Sequence, residues 1–209
     1  SVASGAWLGE ELGARLFRPG FAALVAPTDA SGRRIVLGGI APAGDGVAGY
    51  DKGSRATGRG GATVTAFGRV DAKGRYTELY RSREGELWGL ATDAARDDAL
   101  VWLEAPLGSR QRTLFTAPLA ASAADLKPHE VMKIPRPEAL ADEMVADSGW
   151  VAMVMGIMAG EPTLLRVVDT RDGRSFTPKP IPGRRWAGVV GFTEGALWVL
   201  TLGQAKPGA

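Results

Sequence analysis

The chain has 209 residues, 45% of them hydrophobic and 23% charged, enough for one large folded unit with a substantial apolar core. Its 25 basic and 23 acidic residues nearly cancel and are spread thinly, so no nucleic-acid partner is expected. Cys is absent and His129 is the single His, which excludes disulfides and thiolate chemistry and leaves little for zinc or imidazole catalysis.

The chain opens Ser1-Val2-Ala3-Ser4 without Met, as a processed product or a piece of a longer chain would. Ala6–Glu10 and Ala14–Phe17 read as two short strands, with Glu10–Arg15 equally open to a short helix. A first unit of four strands follows at 21–28, 33–40, 62–70 and 75–82, interrupted by a Gly-rich insertion at 42–61. A second unit takes 87–93, 99–105, 111–117 and 130–135, and a Pro-containing connection at 118–142 is expected to hold a short helix at 137–143. A third runs 143–147, 150–157, 163–169 and 174–181, and a fourth has only two strands, 186–192 and 196–202. No apolar run is long enough to span a bilayer.

Two repeats support this division. Trp102, Trp150 and Trp198 are each 48 residues apart, and each follows an acidic or Gly-bearing turn into an apolar strand. Trp88 and Trp186 stand on the strands before two of those turns, 98 residues apart. Turns recur as well: Asp29 to Gly32-Arg33, Asp71 to Gly74-Arg75, Asp169 to Gly173-Arg174. Asp opens such a turn by bonding nearby backbone amides, and Gly supplies the positive φ that closes it.

Strands such as Leu100–Leu103 and Val151–Met155 are apolar on both faces, as when something packs on each side of a sheet, whereas Arg75–Arg81 carries the charges of an outer edge. Sheets stacked flank to flank around an axis give this gradient, so the expected fold is an all-β β-propeller of about four antiparallel blades, or part of a larger ring. The two strands before residue 18 would complete the fourth unit, pairing the two ends of the chain in one blade.

The strand–Asp–Gly-Arg hairpins with an aromatic strand in each unit, best seen in Leu164–Arg174, resemble bacterial propeller blades of the TolB, YVTN and quinoprotein kind. The resemblance covers about residues 20–202 and implies a fold, not a reaction. The Gly-His and Trp-Asp marks of WD40 blades are missing, as is the Ser-x-Asp-x-Gly-x-Thr-Trp box of sialidase-like blades.

Candidate chemistry is sparse. Gly44, Gly46 and Gly49 have the spacing of a dinucleotide fingerprint, but no helical pattern follows, so they read as a flexible loop. That loop is the expected binding surface, with Tyr50, Lys52, Arg55 and Arg59 facing an acidic partner or anionic ligand. His129 reads as a surface residue, and Asp97-Asp98 as a hairpin turn. Met144, Met153, Met155 and Met158 read as core, and so do the tryptophans, with Trp7 or Trp186 the ones to expect at a binding mouth. No catalytic residue, metal or cofactor is assigned. The expectation is a non-catalytic, extracytoplasmic module whose partner is another protein. The alternatives are a glycan or small-molecule site at the central mouth, possibly a hydrolytic one, and one portion of a larger propeller enzyme.

Overall fold

The computed structural model of the chain describes residues 6–8, 15–17, 27–58, 61–83, 85–107, 109, 111–134, 140–156, 164–179, 181–193 and 195–203. These residues form antiparallel β-sheets with no α-helix. β1 (Ala6–Leu8) pairs with β2 (Arg15–Phe17). The first large sheet contains β3 (Leu37–Ala43), β4 (Gly46–Asp51), β7 (Ala66–Val70) and β8 (Tyr76–Arg81) in that order. A side hairpin, β5 (Arg55–Gly58) with β6 (Gly61–Val64), leaves it between β4 and β7.

The second sheet is a four-strand meander, β9 (Gly85–Asp93), β10 (Ala99–Pro106), β11 (Arg112–Ala117) and β12 (His129–Ile134). The third repeats it with β13 (Leu140–Asp147), β14 (Trp150–Gly156), β15 (Leu164–Asp169) and the two-residue β16 (Ser175–Phe176). The last sheet is the pair β17 (Arg184–Thr193) and β18 (Ala196–Gly203).

The repeated turns form as the sequence implies. In two of them Asp accepts amide protons two and four residues ahead, from Ser31 and Arg33 to Asp29 and from Lys73 and Arg75 to Asp71. The Gly32 and Gly74 amides return to the Asp carbonyls with φ near +83° and +82°. At Asp169 the turn is one residue longer, and Arg171 takes over the carboxylate. Thr28 also bridges Arg75 in parallel, so the first two turns lie side by side.

Stacking of sheets explains why the middle strands are apolar on both faces. Leu100 and Trp102 of β10 pack with Tyr50, Phe67 and Leu79 of the first sheet, while Val101 and Leu103 pack with Val151, Met153 and Met155 of the third. β14 does the same one step on: Ala152 and Val154 turn the other way, with Leu165 and Val167, toward Trp186. Trp102 is fully buried, its ring 5.1 Å from Phe67 and 5.2 Å from Tyr80.

Several expectations need correction. Of the insertion expected at 42–61, residues 42–58 are described and are mostly strand: Gly44-Asp45 is the tight turn of the β3–β4 hairpin, and β4 lies between β3 and β7. The expected strand at 62–70 is two strands, β6 and β7, split at Thr65. Of the connection at 118–142, β12 and β13 take most of the later half, and the helix expected at 137–143 gives way to strand from Leu140 onward. The expected first strand at 21–28 and the Glu10–Arg15 alternative fall almost wholly outside the described residues. Among the described residues β18 pairs with β17 alone and β1 with β2 alone, so no sheet joins the two ends and none closes into a ring.

Candidate interaction surface

Of the four residues expected to bind, Tyr50 and Lys52 are the two whose side chains are described. Tyr50 is buried with the first core cluster, its ring where a side chain on Gly39 would stand 2.8 Å away. Burial pushes its hydroxyl well above the usual phenol range, with Arg112 acting the other way. Lys52 lies with its stem over Gly38, where an added Cβ would meet Cε at 2.5 Å. Arg55 opens β5, and Arg59 lies outside the described residues. The Gly-x-Gly spacing is likewise spent on a hairpin, since Gly46 lies against the Val70 carbonyl.

A polar cleft of about 610 Å³ opens where the second and third sheets meet, lined in part by Arg96, Asp97, Thr116, His129, Thr170 and Arg171. Its cations are engaged: Arg96 donates to the Thr170 hydroxyl at 3.0 Å, and Arg171 donates twice to Asp169 at 2.7 and 2.6 Å. Beside it, buried Asp93 accepts the Ser148 and Gly149 amides at 2.8 and 2.6 Å, and Asp98 accepts the Gly44 amide at 2.7 Å. These carboxylates tie the first-to-second-strand turns of neighbouring sheets together, which is structural work. His129 is exposed, as expected. Among the described residues no group of three or more His, Asp or Glu is placed to hold a metal ion, and no helix is long and apolar enough to cross a membrane.

The apolar surface lies elsewhere, on the last sheet. β18 alternates in the usual way of a strand. Leu197 and Val199 pack toward the third sheet, while Trp198, Leu200 and Leu202 point outward with exposures of 58, 58 and 51%. Val190 on β17 adds a fourth apolar side chain, 61% exposed. On the inner side, a cleft of about 580 Å³ between the third and last sheets is lined by Trp150, Leu165, Val167, Phe176, Trp186 and Phe192 among others, with Asp147 and Ser148 at its rim.

The outer edge of β18 is unpaired among the described residues, and its eight residues carry no charge. Charged side chains are the usual protection of an exposed edge strand. β8 has them: Arg81 donates twice to Glu78 along that edge. An apolar outer face, an uncharged edge and an apolar cleft thus meet on one strand.

The sequence contained a signal for this surface. Leu197–Leu202 is apolar on both faces, like the fully covered β10 and β14. Sequence alone equates the three Trp-bearing strands, and each is indeed the second strand of its sheet. Their burial differs: Trp102 is enclosed, Trp150 half-buried and Trp198 exposed. Trp186 is buried, in line with the core reading of the tryptophans, and Trp198 departs from that reading. No protein-family model matches the chain, and no curated protein matches its sequence.

Proposed function

We propose that the chain is a non-catalytic, propeller-type scaffold that binds another protein, its stacked meanders serving as blades. The face-to-face order of four-stranded units supports the scaffold part of this reading. The observation that carries the binding part is the outward row Trp198, Leu200 and Leu202 with Val190. Contiguous exposed apolar side chains of this kind mark contact surfaces.

The test compares capture by the immobilised chain with capture by a Trp198→Ser, Leu200→Ser double variant that keeps the parent's far-ultraviolet circular dichroism. A stoichiometric protein partner lost with the double variant is expected. A partner held equally by both, or none, overturns the reading. A second reading, a small-molecule or glycan site, draws on the aromatic walls of the inner cleft, Trp150, Phe176, Trp186 and Phe192. It requires saturable quenching of tryptophan fluorescence by a free oligosaccharide.

A further inference from the structure

We propose that the open edge of β18 is a strand-acceptor site. Its occupant is an extended segment of the partner protein that adds antiparallel to Ala196–Gly203, apolar at alternate positions and acidic at its N-terminal end. The inference rests on the protein-binding reading above and names the chemistry of the partner.

Three observations converge on this occupant. First, the second strand of each of the other large sheets has a neighbour on both sides: β4 between β3 and β7, β10 between β9 and β11, β14 between β13 and β15. Among the described residues β18 holds the same position with one neighbour. All strand pairings between named strands are antiparallel, which sets the direction expected of an added one. An exposed row of backbone donors and acceptors is a template for strand addition, with main-chain bonds supplying affinity and alternate side chains supplying selection.

Second, the third strand of a sheet in this molecule contributes apolar side chains to the space between sheets, as Leu114 of β11 does against Met153 and Met155. In the last sheet that space is the open cleft floored by Leu165, Val167 and Phe176. A strand beside β18 would place every second side chain over that floor. Apolar residues at those positions follow from the lining.

Third, Arg184 and Arg185 are exposed at the end of β17 and lie opposite Gly203 and Leu202 in register. A strand antiparallel to β18 begins beside Gly203, so its first residues come within reach of two long cationic side chains. Carboxylates at that end complement them; at the far end they would face no such pair.

The experiment uses the full chain and two synthetic peptides, Glu-Glu-Val-Thr-Val-Thr-Val-Thr and Val-Thr-Val-Thr-Val-Thr-Glu-Glu, with binding followed by fluorescence anisotropy and by hydrogen exchange of the β18 amides. The peptide with N-terminal acids should bind about threefold to fivefold more tightly, the size of a solvent-exposed charge contribution, and should slow exchange along 196–203. Arg185→Glu, a change at an exposed position that leaves one positive and one negative side chain there, should abolish the preference without altering the circular dichroism spectrum. Absence of saturable binding, or equal binding of both peptides by the parent chain, overturns the proposal. So does protection of β18 that rises with protein concentration alone, which would identify a second copy as the occupant. Protection in the isolated monomer that is lost on deleting residues 1–18 would likewise overturn it, by identifying the chain's own N-terminal hairpin. A partner captured with β18 amides left exchanging freely would remove this inference and leave the protein-binding reading standing.

Discussion

At Asp169 a single carboxylate organises a whole turn. The Arg171 guanidinium bonded to it holds its pKa down to about 2, and at Asp29 Ser31 and Arg33 have the same effect, again to about 2. An unfolded-state Asp titrates near ~3.9. A folded-state value below that favours the fold fully above the unfolded value, and the contribution fades as pH falls through the folded one. Asp169→Asn should therefore lower Tm at neutral pH, and its difference from the parent should shrink as pH falls through the folded value of about 2 and be lost below it. Thermal melts at both pH values check this, and an unchanged difference would mean that the carboxylate's charge is irrelevant. These turns were legible in the sequence because Asp, Gly and Arg act on backbone within five residues of themselves. Tyr50 was not legible, because its burial depends on β7 arriving beside it from beyond the β5–β6 hairpin.

Composition misleads most at the level of the element, in β3 and β4. Glycine abundance there looks like looseness, yet the glycines admit close neighbours. A Cβ on Gly46 would stand 1.9 Å from the Val70 carbonyl oxygen, and one on Gly39, whose φ is +55°, would meet the Tyr50 ring. Gly46→Ala should therefore destabilise the protein by about 1–3 kcal/mol, the usual cost of forcing atoms into a filled space. Urea denaturation measures it; a neutral outcome would contradict the tight placement of β4 against β7. The boundaries of β9 to β11, β14, β15, β17 and β18 could be read to within about two residues, because alternation and turn residues are local. Splitting of the 62–70 strand at Thr65 had no such local mark, since Ser54, Thr65 and Ser82 form that joint through backbone bonds across three segments.

Across the whole molecule, equal spacing in sequence does not give equal burial. Three tryptophans 48 residues apart fall on the second strand of three sheets, yet Trp102 packs against the first sheet, Trp150 lies on the side of the last sheet, and Trp198 faces outward. Single-tryptophan variants should show acrylamide quenching in the order Trp198, Trp150, Trp102, from most to least accessible. Trp102→Ala should cost about 3–5 kcal/mol, and Trp198→Ala should stay within ~0.5 kcal/mol. Equal quenching of all three would mean that the last sheet is covered like the others. The all-β, antiparallel character was visible in the strand pattern; the exposed apolar face was not, because a strand apolar on both faces reads the same with or without a neighbour.

The bridge from Thr28 to Arg75 and the Arg81–Glu78 pair lie along the β8 flank, whereas the eight residues of β18 carry no charge. On the strand-acceptor reading proposed above, one added strand takes up the edge of β18, and the mass seen by light scattering should level off at one partner per chain.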